Sequence, residues 1–479
     1  MAVFYTEGEI KKRPGIYQRH INTGYVTAPG GTDGICAIPV KASWGPLGEV
    51  VKNTRKSDLD KHYGKGIYGE GFTVPAAAAM FDGGATVVYT YRMGTGGTAA
   101  TAEMADSAST GAVTITAKCP GSRAFTFTVR TKLGDTTHKE LIIYDGSVIV
   151  ESYTFAAGGD EAAALVEAAK ASENFTFAKA EGYTGDGVLA AAANTAFTAG
   201  ADPVVTNEDY SAAFAALEPY YYNTIALDVD DDENMTLSLL LQAYLESAYK
   251  LGKLGIAVVG EKTSVAFETR CVHSKAFNDY KVVYLGNGWK NAAGEAVEGA
   301  MAICYTAGVI ASTPSNQGIT HKVIDGATDM LTSLTFAQYE SAIDNGMLLV
   351  SMSPDGAIWY DSGINALTNG EDEELDIGWK KIRRVKVRFE IKDRLDRALA
   401  PKVGRVTCDT DGVADIIQAG QRVLDTMVAE GKLMPGASFV EDSENPHEGD
   451  SAWFIIAADD LDSLEKIYLQ YQFRYSQYA

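Results

Sequence analysis

Residues 223–260 decide the fold class, and they read NTIALDVDDDENMTLSLLLQAYLESAYKLGKLGIAVVG. The apolar run at 223–228 predicts a buried strand, and apolar residues at helical spacing over 234–251 predict an amphipathic helix. A second apolar run at 255–260 predicts the next strand. Strand, helix and strand in this order predict a mostly parallel sheet whose faces are covered.

The same pattern continues on both sides of this stretch. Downstream it predicts strands at 280–285, 348–352 and 357–360 and an apolar helix at 298–312. We therefore assign an α/β domain to 204–368. Upstream, 31–92 contains an apolar run at 33–40 and a β-branched, aromatic run at 85–91, and we assign it to the N-terminal part of the same core.

A different composition separates these two parts. Residues 93–112 are mostly Gly, Thr, Ala and Ser, which is typical of a linker. Strands are predicted beyond it at 112–118, 123–132, 139–144 and 147–155, with a hairpin turn at Asp145-Gly146 and an Ala-rich helix at 160–171. The sequence thus predicts an inserted, small, β-rich and sandwich-like domain at 93–203.

Both ends of the chain carry single strands. Residues 1–30 predict an N-terminal arm with one alternating strand, and 369–479 predict a C-terminal α+β domain that ends in another at 466–475. A lone strand is unstable in water, so each needs a partner in this chain or in another copy. One alternative is an intramolecular sheet that contains both. The residues predicted to pair between subunits are Pro14, Gly15, Ile16, Tyr17, Arg19 and Ile21, and Ile467, Tyr468, Leu469, Tyr471 and Phe473.

Composition excludes several classes of protein. The chain has 479 residues, 46% of them hydrophobic, and a net charge of −22, which argues against nucleic acid and anionic membranes as partners. No apolar window reaches the roughly 18 residues of a membrane span. The five cysteines are far apart and no signal peptide is recognised, so we expect folding in a reducing cytosol.

Catalytic and cofactor motifs are missing from the sequence. Gly94-Thr-Gly-Gly-Thr-Ala lacks the third glycine of a dinucleotide loop, and no P-loop, GxSxG elbow, HExxH or CxxC occurs. The acidic stretch 228–233 could hold a hard cation, but carboxylates before a helix also stabilise its dipole without a metal. We predict no catalytic residue, cofactor or metal, although a Ser/His/Asp set stays open because triads assemble in space.

The sharpest charge feature is a predicted basic helix at 380–397, with nine basic and three acidic residues around an apolar stripe. It is compatible with a solvated face carrying i,i+4 pairs such as Asp393 with Arg397, or with a nucleic-acid contact. We favour an electrostatic interface with an acidic patch on another copy of the chain. The predicted members are Lys380, Lys381, Arg383, Arg384 and Arg388, against Asp230, Asp231, Asp232, Glu371 and Glu373.

Three motifs carry a resemblance to a known family. They are Arg13-Pro-Gly-Ile-Tyr17, Ala400-Pro-Lys-Val-Gly-Arg-Val406 and Ile467-Tyr-Leu-Gln-Tyr-Gln-Phe473. In this order, around a β-rich insert and an α/β region, they resemble the contractile tail sheath proteins of phages, pyocin-like bacteriocins and related injection systems. Arg405 departs from the family pattern, in which a Lys is common.

The resemblance implies a structural role without enzymatic activity. It implies a subtilisin-like topology for 204–368, without a protease site, and terminal strands that insert beside a neighbour's C-terminal domain. Subunits would form a helical sheath around a tail tube and contract to drive it through the host envelope for genome ejection. The implied partners are other copies, the tube, baseplate and terminator proteins, in a virion assembled in the host cytoplasm.

Two other functions stay open at this stage. A hydrolase or nucleotide-using enzyme could be built on 204–368, although the missing motifs count against it. A self-assembling envelope protein, such as a surface layer, would also polymerise, but the missing signal peptide weighs against that alternative.

Overall fold

The computed structural model describes residues 3–4, 17–18, 33–69, 71–230, 235–368 and 377–473. These residues fall into two compact units. The larger unit lies within Thr32–Phe389 and Asp460–Ala479, and the smaller within Met1–Gly31 and Glu390–Asp459. The finer division into five ranges stays a prediction.

The helices of the described part are α1 Lys56–Tyr63, α2 Val74–Asp82, α3 Glu161–Ala168, α4 Asn207–Leu217, α5 Thr236–Lys250, α6 Phe267–Phe277, α7 Ala300–Ser312, α8 Phe336–Asp344, α9 Ile382–Leu399 and α10 Thr410–Ala429. Short 3-10 turns lie at Ile377–Lys380 and Ala400–Lys402.

The strands are β1 Val3–Phe4, β2 Tyr17–Gln18, β3 Ile35–Val40, β4 Val50–Asn53, β5 Val87–Arg92, β6 Ala99–Ala105, β7 Gly111–Pro120, β8 Phe125–Lys132, β9 Asp135–Asp145, β10 Val148–Ala156, β11 Phe175–Lys179, β12 Ala192–Ala196, β13 Thr224–Ala226, β14 Ile256–Gly260, β15 Val282–Leu285, β16 Trp289–Asn291, β17 Ala296–Val297, β18 Ala327–Met330, β19 Met347–Leu348, β20 Val350–Met352, β21 Ile358–Tyr360, β22 Ser438–Glu441 and β23 Phe454–Ala457.

A seven-stranded sheet forms the centre of the larger unit, in the order β19-β15-β14-β13-β3-β5-β4. All neighbouring strands are parallel except the edge strand β4, which runs antiparallel to β5. Strands β3, β14 and β15 are buried along their whole length, because helices cover both faces of a parallel sheet. The predicted mostly parallel sheet is confirmed.

Helices α2 and α7 pack closely in the core on one face of this sheet. Gly308 makes the close approach possible, since a Cβ at this position would lie 2.1 Å from the carbonyl oxygen of Met80. Helices α4 and α5 contribute to the second core, where the rings of Phe214 and Tyr244 stack with centroids 5.3 Å apart.

The insert is built from two antiparallel sheets, with strand orders β10-β9-β8-β12 and β11-β7-β6. Their side chains meet in an aromatic core, in which Phe125 lies 5.3 Å from Phe175 and 5.8 Å from Phe197. The predicted hairpin turn is present between β9 and β10, with Gly146 at a φ of +60°.

The linker predicted at 93–112 is wrong in its central part. It contains strand β6, whose Ala100, Ala102 and Met104 are buried while the residues between them are more exposed. These inward positions face a crowded sandwich core, where small side chains fit. The composition of this tract is typical of a linker, but the burial of its side chains alternates as in a strand.

The smaller unit contains α10 and the hairpin β22–β23. Phe439 of β22 lies against Gly420 of α10, where an added Cβ would come 2.6 Å from its ring. Because the sheet has two strands, each has one edge without a strand neighbour in the described part. Side chains on this hairpin and in the connection between its strands are half exposed, among them Val440, Trp453, Ile455 and Ile456.

The C-terminal segment differs from its prediction in the isolated chain. A strand is predicted at 466–475, but residues 461–473 form no strand. A β-strand forms only when it pairs with a neighbouring strand, and no described segment pairs with residues 461–473. The described helices include none long and apolar enough to cross a membrane.

Candidate assembly interface

The predicted basic helix is α9, which begins at Ile382 after a 3-10 turn. Its apolar stripe enters the core of the larger unit through Ile382 and Val385, with Phe389 packed beside them. Lys386 also points inward, and its ammonium group donates to the carbonyl oxygens of Ile310, at 2.6 Å, and Thr313. It thus neutralises the end of helix α7, where carbonyl groups lack helical partners.

Two arginines of α9 hold one carboxylate. Nε and a terminal nitrogen of Arg384 donate to the two oxygens of Asp460 at 2.9 and 2.7 Å, and Nε of Arg388 donates at 3.2 Å. The Asp460 side chain is 7% exposed. Burial by itself would raise the pKa of Asp460, but the hydrogen bonds from Arg384 and the charge of Arg388 outweigh it and lower that pKa.

A second carboxylate follows five residues later. Glu465 forms an ion pair with Lys381 and accepts a hydrogen bond of 2.8 Å from Oγ1 of Thr320. Between the two carboxylates, Oγ of Ser463 accepts from Arg383 at 3.2 Å. We call residues 460–465 the anchor segment, because they are held along the first two turns of α9.

These contacts give three of the predicted cations partners within the chain. Lys381, Arg384 and Arg388 bind Asp460 and Glu465 of the same chain, which the sequence analysis did not single out. No local pattern marks them, because residues 460–465 read DLDSLE without a regular apolar period. The plain i,i+4 alternative is confirmed for Asp393 and Arg397, whose side chains are 2.8 Å apart.

The other predicted members of the interface lie elsewhere. Lys380 donates to the carbonyl oxygen of Ile343 at 2.7 Å. Asp230 pairs with Lys262 at 2.7 Å and accepts from the N–H of Ala300 at 2.8 Å, at the start of α7. The remaining four, Asp231, Asp232, Glu371 and Glu373, lie outside the described residues. An acidic patch of another copy on α9 stays a prediction.

The predicted C-terminal strand residues directly follow the anchor segment and are strongly exposed. Ile467 is 71% exposed and Phe473 is 94% exposed, with Tyr468, Leu469 and Tyr471 between them in the same state. Soluble proteins rarely leave such an apolar run uncovered unless it binds a partner.

The predicted N-terminal strand is described only in part. Tyr17 lies in strand β2, which pairs in parallel with β1. The other predicted residues, Pro14, Gly15, Ile16, Arg19 and Ile21, lie outside the described part of the chain.

A cleft of about 830 Å³ opens at the carboxyl ends of β3 and β13, lined by Lys41, Tyr68 and Tyr210 among others. Below it Asp228 is fully buried and accepts from Thr73 at 2.5 Å and Tyr210 at 2.7 Å; burial raises its pKa. Both oxygens of this carboxylate therefore accept hydrogen bonds from side chains of the protein itself. Among the described residues, no three His, Cys, Asp or Glu side chains are grouped to hold a metal ion.

Comparison with known proteins gives a consistent result. Residues 204–361 match the family model described as "Phage tail sheath protein central domain". Two Bacillus subtilis (strain 168) proteins are 24% identical: the uncharacterized protein YqbK over 382 residues, covering 76% of this chain and 75% of its own, and the phage-like element PBSX protein XkdK over 405 residues, covering 82% and 81%.

Solved structures show the same fold. The sheath tail protein DSY3957 from Desulfitobacterium hafniense has a TM-score of 0.69 at 21% identity, covering 93% of this chain and 100% of its own. The sheath tail protein Lin1278 from Listeria innocua has a TM-score of 0.68 at 21% identity, covering 91% and 96%. The helical sheath of the anti-feeding prophage in its contracted state has a TM-score of 0.55 at 10% identity, covering 97% and 99%.

The fold therefore belongs to the class of tail sheath proteins. The resemblance that the three motifs predict is confirmed by the family match at 204–361 and by the fold that the chain shares with sheath proteins.

Proposed function

We propose that this protein is the structural subunit of a contractile tail sheath. Copies polymerise into a helical sheath around a tail tube, and contraction drives the tube through the host envelope for genome ejection. The observation that carries the proposal is the exposed apolar run 467–473, which continues directly from a segment fixed on its own subunit.

The proposed contact is strand addition between copies. Residues 467–473 alternate apolar and polar side chains, and the hairpin β22–β23 offers strand edges and exposed apolar side chains. An extended segment added to such an edge gains backbone hydrogen bonds and covers both apolar surfaces. Because one copy gives a strand and another receives it, the contact is head-to-tail and extends into a helical assembly.

The wider assignment follows from the same proposal. The partners are other copies, the tail tube protein, and baseplate and terminator proteins, and the site of action is the virion, assembled in the host cytoplasm. Similarity to anti-feeding prophage sheath and baseplate structures supports it. The subtilisin-like topology of 204–368 and the lack of enzymatic activity belong to this proposal.

The test is negative-stain electron microscopy of the purified full chain beside a truncation that ends at Glu465. We expect hollow helical cylinders from the full chain and folded monomers from the truncation, with the same circular dichroism spectrum. Cylinders from the truncated chain would remove the strand-addition step. Uniform small particles from the full chain, also in the presence of tube protein, would count against the sheath function.

The cleft at β3 and β13 is the one observation that favours the enzyme alternative, since α/β enzymes bind ligands at this edge. Labelling by a serine-hydrolase probe that excess substrate prevents would support that alternative. We expect no labelling, because the described residues that line the cleft include neither a serine nor a histidine.

A further inference from the structure

We propose that the anchor segment 460–465 determines the orientation of the C-terminal strand when that strand pairs with another subunit. It fixes the face on which the apolar side chains Ile467, Leu469, Tyr471 and Phe473 lie. This inference rests on the proposed function, because it assumes that residues 467–473 add to a second copy. It assigns to Asp460 and Glu465 a positioning role.

The order of the contacts shows how the segment runs. Asp460 is held by Arg384 and Arg388, Ser463 by Arg383, and Glu465 by Lys381. Later residues of the segment thus meet earlier residues of the helix. Residues 381–388 rise about 10 Å along the helix axis, while five extended residues span at most about 17 Å. The segment therefore runs antiparallel to these residues, and its length spans them without needing full extension.

The far side of the segment is held as well. Thr320, in the loop after α7, donates to Glu465, and its hydroxyl oxygen accepts the N–H of Gly363 at 2.8 Å. Ser463 lies close to Gly318 of the same loop, 3.1 Å from where a Cβ would stand. The segment is thus fixed between a helix and a loop of the same compact unit.

The cations that hold the segment are themselves fixed. The guanidinium carbon of Arg388 lies 4.2 Å from the ring centre of Trp379, whose ring is 4.4 Å from that of Tyr280. Arg384 binds Asp460 through two parallel hydrogen bonds, which restrict both position and orientation. The Asp460 carboxylate is therefore held in one orientation on α9.

From Leu461 to Glu465 burial alternates with a period of two, while Asp460, one position earlier, is also partly buried and lies outside this alternation. Leu461, Ser463 and Glu465 are partly buried, whereas Asp462 and Leu464 are exposed. When residues 466–473 extend, as strand addition requires, this parity continues, so Ile467, Leu469, Tyr471 and Phe473 lie on the same face as Leu461, Ser463 and Glu465. The anchored residues therefore set the face of the apolar row once the segment extends. A shift by one residue would turn it to the opposite face.

Insertions test the facing directly. One Ala is inserted after Lys466 in the first variant and two in the second. We expect the single insertion to reduce cylinder formation at least tenfold and the double insertion to restore it to within about threefold of the unmodified chain, because two residues return the apolar row to its face. Equal assembly of both variants would overturn the proposal. So would equal failure of both, since length and not facing would then decide.

A charge exchange tests the anchor separately from assembly. Lys381→Glu and Glu465→Lys each place like charges together, whereas the double exchange restores both the pair and the net charge. A nitroxide on Leu464→Cys, in a Cys408→Ser background, reports the mobility of the segment. We expect both single variants to sharpen the spectrum and the double variant to restore it. Unchanged spectra in the single variants would overturn the anchor.

The two readouts separate this inference from the proposed function. If the unmodified chain forms no cylinders even with tube protein, the sheath function fails, while the nitroxide series still decides whether the anchor exists. If the unmodified chain assembles and the single insertion does as well, the sheath function stands and the facing role is overturned.

Discussion

Asp460 binds Arg384 through both carboxylate oxygens, although the two residues are 76 positions apart in the sequence. The pair connects the start of a helix to the start of the C-terminal segment, within one compact unit. The pair balances part of the positive charge of α9 and fixes the segment that precedes the exposed residues 467–473. The basic residues of α9, which suggested a contact between subunits, therefore also hold the chain next to residues 467–473, which we propose to make that contact.

Replacing Asp460 by Asn should destabilise the larger unit. The substitution leaves Arg384 and Arg388 beside a neutral group in a site where the carboxylate is 7% exposed. We expect the free energy of unfolding to fall by about 2–3 kcal/mol, since hydrogen bonds to charged groups exceed neutral ones. Urea denaturation followed by tryptophan fluorescence measures it. As the matched control, Asp415→Asn breaks a more exposed pair with Lys402 and should cost under about 1 kcal/mol. Equal effects would show that Asp460 is an ordinary surface partner.

The same pair predicts a pH dependence. Because the pKa of Asp460 is lowered in the folded chain, its stabilising effect is complete above the unfolded pKa, about 3.9, and is lost as the pH falls through the folded value. The stability difference between the unmodified chain and Asp460→Asn should therefore be constant from pH 7 to pH 5 and shrink below about pH 4. Urea titrations at pH 7, 5 and 3.5 check this. A difference that closes already between pH 7 and 5 would mean that burial, which raises the pKa, dominates.

The sequence predicted the elements whose patterns are local. The parallel sheet could be predicted because β3, β14 and β15 are continuous apolar runs, which only a sheet covered on both faces requires. Helix α10 at Thr410–Ala429 is of the same kind, because its apolar residues recur regularly along one face. Helix α6 was not predicted, since its sequence FETRCVHSKAF shows little contrast between its faces.

The candidate interface was harder to predict, because its decisive contacts are distant in sequence. Nothing near Asp460 indicates that Arg384 is its partner, and nothing near Lys386 indicates that its ammonium group caps α7. A count of charges on a helix cannot distinguish cations that face solvent from cations that are bound inside the chain. Strand pairing between copies is likewise decided by a partner that a single sequence does not describe.

Gly308 should tolerate no side chain. An added Cβ would lie 2.1 Å from the carbonyl oxygen of Met80, so Gly308→Ala forces α2 and α7 apart. We expect a loss of about 3 kcal/mol or more, or no soluble protein, because a packed backbone contact cannot relax as a flexible side chain does. Thermal denaturation measures it, with Gly69→Ala as the control, since a Cβ there has nothing within 4 Å. A stable Gly308→Ala protein would show that the two helices can separate at little cost.

The smaller unit depends on a buried charge network around Arg394, which is 2% exposed. Arg394 donates to Glu390 at 2.7 Å and to Glu430 at 3.0 and 2.6 Å, and Lys432 pairs with Glu390 at 2.7 Å. Partial burial is the largest single effect on the pKa of Glu430 and would raise it. The side-chain hydrogen bonds from Arg394 and Lys432 together outweigh burial, so that the pKa is lowered.

Arg394→Met keeps much of the side-chain volume but leaves two carboxylates with one ammonium group. We expect the free energy of unfolding to fall by about 3–5 kcal/mol, because the cost of an uncompensated buried charge exceeds that of a lost contact. Hydrogen exchange of amides in α10 measures this unit without the rest of the chain. Lys392→Met is the control: its pair with Asp396 is exposed, and its loss should cost under about 1 kcal/mol. If Arg394→Met exchanges as slowly as the control, the network contributes specificity of pairing and not stability, and the triple variant with Glu390→Gln and Glu430→Gln should then also be neutral.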